Sequence, residues 1–152
     1  MQIIYCSKWW LKKKKPIDIF NVEEAYKLHS KGELYSVVIM ENNIVKYVLD
    51  ISSNYLIVRF MNDYILPYLI YEFKVVDKEN IFLKVVSYYE YYLEKEIESI
   101  VFNFQYTGEV VIEKVNLKNG EMEEKIAITD VKKNWGKYPS FGDYTSLLQE
   151  KR

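Results

Sequence analysis

Leu34-Tyr35-Ser36-Val37-Val38-Ile39-Met40, the polar break Glu41-Asn42-Asn43, and Ile44-Val45-Lys46-Tyr47-Val48-Leu49-Asp50-Ile51 decide how this chain folds. In the second run Val45, Tyr47, Leu49 and Ile51 alternate with Lys46 and Asp50. A period of two places the apolar side chains on one side of a strand and the polar ones on the other. Two such runs joined by a short Asn-containing turn form a hairpin.

The same period continues toward the C-terminus. Strands are expected at Tyr55 to Met61 after Ser52-Ser53-Asn54, at Pro67 to Val76, and at Ile81 to Leu93 after Asp77-Lys78-Glu79-Asn80. Ile100, Phe102, Phe104 and Tyr106 alternate with Val101, Asn103 and Gln105, and Thr107-Gly108 turns the chain. Val110 to Leu117 then returns, Lys118-Asn119-Gly120 gives the strongest short hairpin signal, and Met122 to Val131 closes the series. Roughly eight short strands joined by tight turns imply an antiparallel, strongly curved sheet, a half-barrel or barrel-like meander.

Toward the N-terminus, Gln2 to Leu11 reads as a first strand, and Lys12-Lys13-Lys14-Lys15-Pro16 reads as an exposed loop. Between them and the meander, Val22, Ala25, Tyr26 and His29 recur at the spacing of one helix face. Asn21 caps this helix, Glu24 completes a capping box, and Gly32 offers the left-handed stop. After a loop from Trp135 to Asp143, Tyr144, Leu147 and Leu148 predict a short C-terminal helix capped by Asp143. The fold class is therefore α+β, one domain over residues 1–152, with one helix in the N-terminal half and a short one at the C-terminal end.

Composition agrees and narrows the function. Fifteen Tyr, 7 Phe and 3 Trp, set among Val and Ile, suit a pleated half-buried surface. A chain of 152 residues with 49% hydrophobic residues can bury a core without staples. A net charge of -1 and a pI of about 6.0 provide no basic field for nucleic acid or anionic lipid. No apolar run approaches the roughly 20 residues that a membrane-crossing helix needs. One cysteine, Cys6, excludes an internal disulfide, and Met-Gln-Ile-Ile-Tyr-Cys-Ser-Lys has no leader-like apolar region, so the cytoplasm is the expected compartment.

Residues that carry chemistry are scarce. One His and one Cys cannot build a zinc site or a nucleophile–base pair, and the 5 glycines never gather into a phosphate-binding loop. The expectation is a protein without cofactor or metal, and a binder rather than an enzyme. Glu90, Glu94, Glu96 and Glu98 lie beside the aromatic run Tyr88 to Tyr92, and Glu121, Glu123 and Glu124 follow the Asn119-Gly120 turn. Two acidic tips beside tyrosines suit a patch that docks a basic partner, because Tyr gives rigid contact area and carboxylates steer the encounter. Alternation assigns Tyr88 and Tyr92 to one layer and Tyr89 and Tyr91 to the other. The candidate partner-binding set is Tyr88, Glu90, Tyr92, Glu94, Glu96, Glu98, Glu121, Glu123 and Glu124. Two alternatives stay open: an apolar ligand pocket lined by Tyr64 to Phe73 and Ile81 to Tyr92, and a hydrolase using two carboxylates of Glu90 to Glu98.

Trp9-Trp10-Leu11, Glu33-Leu34-Tyr35 and Asn134-Trp135-Gly136-Lys137-Tyr138-Pro139-Ser140-Phe141-Gly142-Asp143-Tyr144 also form a familiar layout. The chain resembles, over most of its length, small immunity proteins of Gram-positive bacteria that are encoded beside secreted polymorphic toxins of the wall-associated or Rhs-repeat type. The resemblance implies cytoplasmic binding of a cognate toxin C-terminal domain and occlusion of its active site. It brings no catalytic motif to any residue here.

Overall fold

The structure, a computed structural model, describes residues 1–152 and contains eleven strands in one sheet that does not close on itself. A first hairpin, β1 (Gln2–Trp10) and β2 (Lys15–Phe20), leads into helix α1 (Val22–Lys31). A meander follows: β3 (Tyr35–Glu41), β4 (Ile44–Ile51), β5 (Tyr55–Met61), β6 (Pro67–Val75), β7 (Asn80–Tyr92), β8 (Lys95–Phe104), β9 (Glu109–Asn116) and β10 (Met122–Ile128). β1 pairs with β3, so the order from edge to edge is β10-β9-β8-β7-β6-β5-β4-β3-β1-β2, every pair antiparallel. A last short strand, β11 (Trp135–Lys137), pairs with Asn80–Phe82 at the start of β7. Of the two forms expected, the open half-barrel is the one present. No helix is long and apolar enough to cross a membrane.

The turns form where the side chains permit them. Asn42 and Asn43 take φ of 52° and 62°, the left-handed values a two-residue hairpin loop needs. Asn21 accepts the Glu24 N–H at 2.9 Å, and Gly32, at φ 69°, donates its N–H to the Leu28 and His29 carbonyls. A side chain at Gly32 would meet Ser53 Cβ at 2.7 Å, so both its φ and its neighbour require glycine.

Several expectations need correction. Lys15 and Pro16 begin β2 rather than ending a loop, because an edge strand tolerates a proline and β1 supplies the pairing. The strand expected from Ile100 to Tyr106 is β8, which begins at Lys95 and ends at Phe104, so Glu96 and Glu98 lie inside it. β10 stops at Ile128, short of Val131, and Trp135 to Lys137 is a strand rather than loop. The expected C-terminal helix is a single 3-10 turn, Thr145–Leu147, with Tyr144 at the N-cap position, and Asp143, one residue earlier, accepts the Thr145 N–H at 3.3 Å. On α1 the side chains turned inward are Ala25, Leu28 and His29, while Val22 and Tyr26 are exposed.

The two faces of the sheet are covered unequally. Val37, Ile39, Leu49, Ile51, Leu56, Val58, Phe60, Leu69, Tyr71 and Phe73 alternate onto an inner face and form the main core. α1 and the segment from Tyr138 to Arg152 lie over it. Phe141 stacks on Tyr5 at 5.2 Å, Tyr144 and Leu147 are buried, Tyr68 and Tyr71 donate to Glu150, and the Arg152 guanidinium sits 5.0 Å from the Phe73 ring. On the outer face Cys6, Trp9, Val38, Val45, Val48 and Met61 form a smaller cluster. The tip of the first hairpin reaches the β7–β8 turn, where Lys14 Nζ lies 2.8 Å from Glu94, although β3 to β6 separate β1 from β7 in the sheet. The hairpin thus lies across the outer face, where Trp9 packs with Val45, Val48 and Met61. Beneath it, Asp50 accepts from Ser36 at 2.7 Å and from Arg59 at 2.9 Å.

Candidate functional site

The inner cover thins out over the last three strands of the meander: Phe102 and Phe104 of β8 still pack against the main core and Val110 of β9 is buried, whereas β10 is almost wholly exposed. The rows of opposed side chains on these strands follow from the register. Val86, Phe102, Ile112 and Lys125 form one row across β7 to β10, and Tyr88, Ile100, Lys114 and Glu123 form the next. Glu90, Glu98 and Asn116 form the third, with Glu121 beyond, its carbonyl accepting the Asn116 N–H at 2.9 Å. Opposed residues on antiparallel strands share a face, so all these side chains project on the inner side.

The arrangement has an apolar and an acidic half. Tyr71, Leu83, Val86, Tyr88, Phe102 and Phe104, with Glu150 and Arg152 at the margin, line an open hollow of about 470 Å³. Tyr88 meets Phe102 edge to face at 6.1 Å and remains exposed. Below it Glu90, Glu98, Glu121 and Glu123 gather about Lys114, whose Nζ lies 3.0 Å from Glu98. The hydrogen bond to Glu98, and then the charges of Glu98, Glu123 and Glu90, hold the Lys114 ammonium above its ordinary value. Four carboxylates around one cation leave this end of the face acidic. Glu90 and Glu98 are also directly opposed, a like-charge pair that costs stability.

The structure brings Tyr88, Glu90, Glu98, Glu121 and Glu123 together and sends the other candidates elsewhere. Glu124 lies on the outer face, directly opposite Glu113. Glu94 is held by Lys14. Tyr92 and Glu96 line a separate hollow of about 410 Å³ with Lys95, Ile97, Leu117 and Lys118. Tyr88 and Tyr92 are exposed and Tyr89 and Tyr91 half-buried, but the expected division between two faces fails past Glu90. A register shift sets Tyr91 opposite Glu96, on the face of Glu98 and Tyr88, and Tyr92 opposite Lys95, on the other, and Tyr91 donates to the Pro67 carbonyl at 2.7 Å.

A polar network of the core had no counterpart in the sequence reading. His29 Nδ1 lies 2.9 Å from the Tyr35 hydroxyl, which lies 3.0 Å from that of Tyr144. Burial, and then the Tyr144 neighbour, raise the Tyr5 and Tyr35 phenols well above the ordinary range, while burial lowers His29. A neutral imidazole accepting from Tyr35, which accepts from Tyr144, satisfies all three groups. His29 and Tyr138 also border a hollow of about 580 Å³ with Lys31, Ser53, Val75 and Lys78. The helix spacing places His29 inward, but no local signal joins it to Tyr144. Cys6 is fully buried, and burial pushes its thiol up to about 11, which keeps it protonated and unreactive. No group of three or more His, Cys, Asp or Glu side chains is arranged to hold a metal ion.

No protein-family model, no curated protein and no solved structure matches this chain.

Proposed function

We propose that the chain is a binding protein that neutralises a cognate toxin by laying the inner face of β8, β9 and β10 over a basic surface around the toxin's active site. The observation that carries this reading is the open face itself: an apolar hollow floored by Phe102 and Phe104, edged by exposed Tyr88, and continued by four carboxylates around Lys114. Elsewhere the fold covers its inner face with α1 and residues 138–152. An aromatic patch beside an acidic one suits a protein surface that must exclude water and pair cations. Carboxylates on an open sheet also raise the association rate with a basic partner, which serves a protein that must capture a toxin before it acts.

The test is co-expression of the tagged chain with the toxin-like C-terminal domain encoded beside it. A stable complex that restores growth supports the reading, and the pair Glu98→Lys and Glu123→Lys should weaken the complex at low salt more than at high salt. A complex insensitive to both substitutions would move the interface elsewhere. Absence of complex and of protection would remove the immunity reading.

A further inference from the structure

We infer that β10 is a docking edge that accepts an extended basic segment of the partner as the next strand of the sheet; this rests on the binding reading above and names how the partner attaches. The two ends of the sheet are built differently. At the β2 end Pro16 lacks an N–H, Asp18 leaves the strand conformation at φ 53°, and α1 packs alongside. Such features make an edge unfit for pairing. β10 has none of them. It pairs with β9 in unbroken register from Met122 opposite Val115 to Ile128 opposite Glu109, with no Pro, no Gly and no positive φ. Its outer-face side chains Met122, Ile126 and Ile128 are 72%, 62% and 86% exposed, so the fold makes almost no use of them. A strand that buries little and leaves one backbone edge open is completed by another strand.

Charge selects the occupant. Glu124 stands opposite Glu113 on the outer face, and Glu121 and Glu123 stand on the inner one. None of these four carboxylates enters any ion pair of the chain. Lys125 is the one cation on the strand. A second copy of β10 satisfies them poorly. The two-fold register that sets Glu123 against Lys125 also sets Glu124 against its own copy. A basic strand has no such conflict. Read antiparallel from Ile128 back to Glu121, the complement is apolar, small, apolar, acidic, basic, basic, apolar, basic.

The probe is that complement as an end-blocked peptide, Val-Ser-Val-Glu-Lys-Lys-Val-Lys, with its charge-swapped form Val-Ser-Val-Lys-Glu-Glu-Val-Glu as control. Each is titrated into the isotope-labelled full chain, with amide shifts and hydrogen exchange read residue by residue. The basic peptide should bind about tenfold tighter, as a few matched cross-strand charge pairs allow. It should also slow exchange within residues 122–128, and the Glu123→Lys, Glu124→Lys variant should reverse the preference. Equal binding of the two peptides, protection elsewhere, or no binding overturns the inference. So does a concentration-dependent dimer with β10 already protected, which assigns the edge to a second copy. A toxin complex that leaves β10 exchange unchanged removes the edge and keeps the binding reading. Peptide binding without any toxin complex keeps the edge and removes the immunity reading.

Discussion

Tyr35→Phe removes one oxygen from the middle of a buried chain and should cost far more than its size suggests. The Tyr35 hydroxyl bonds His29 Nδ1 at 2.9 Å and the Tyr144 hydroxyl at 3.0 Å, and both tyrosines are buried. Each bond contributes about 1 kcal/mol net, and leaving buried partners unsatisfied adds to the loss, so the substitution should cost about 2–3 kcal/mol. Tyr144→Phe removes one bond and leaves the Tyr35–His29 contact intact, so about 1 kcal/mol is expected. In the double variant the second change removes a hydroxyl that had already lost its partner. The double loss should therefore fall short of the sum by about 1 kcal/mol, a coupling typical of groups in one network. Urea titrations at pH 7.5 with a common slope give these values, and the thermal midpoint of Tyr35→Phe should fall by about 4–12 °C. Additive losses, or a Tyr35→Phe loss below about 0.5 kcal/mol, would show that the hydroxyls are not joined as described.

The same network sets a pH dependence. Burial lowers His29 below its ordinary value, so the folded chain favours the neutral ring, and the unfolded chain takes up the proton first as pH falls. The contribution of His29 should be complete above about pH 6.5 and be lost progressively below it, a slope that His29→Gln should flatten in stability measurements across pH 5–8. Leu147→Ala, at the buried side chain that anchors the 3-10 turn to the main core, should destabilise by about 2–4 kcal/mol in the same titrations. Glu94→Ala should change stability by less than about 1 kcal/mol, because the Glu94 carboxylate is exposed to solvent, and a larger loss would show that the pair anchors the first hairpin.

Much of the architecture is local and was legible without coordinates. Alternation from Tyr47 to Ile51, the Asn42-Asn43 turn, and the Asn21 and Gly32 caps each depend on residues a few positions apart, and the structure realises them. Val45, expected on the face of Tyr47, Leu49 and Ile51, instead joins the outer cluster because the β3–β4 register shifts between Ile39 and Met40. Parity separates Glu123 from Glu124, but it fails for the tyrosines past Glu90, where the register shift turns Tyr91 to the face of Tyr88 and Tyr92 to the other. What pairing alone decides was not legible. Lys15 to Phe20 is a strand because β1 lies beside it, and Trp135 to Lys137 because the start of β7 is open there. Single 3-10 geometry at Thr145–Leu147 replaces a helix because that segment is shaped by the core beneath it.

The candidate site divides in the same way. Residue types and spacing identified acidic clusters and tyrosines as the available surface chemistry, since charge and aromatic content are properties of the chain itself. Only the combined register of four strands placed Glu90, Glu98 and Glu123 about Lys114, and only the path of residues 138–152, which end beside Phe102 and Phe104, left the acidic end of this face open. Joining Tyr35 to Tyr144 likewise spans 109 positions. Local periodicity determines which side of a strand a residue occupies. Which sides are buried and which remain open is set by non-local packing, where apolar area is removed from water wherever the folded chain brings two surfaces together.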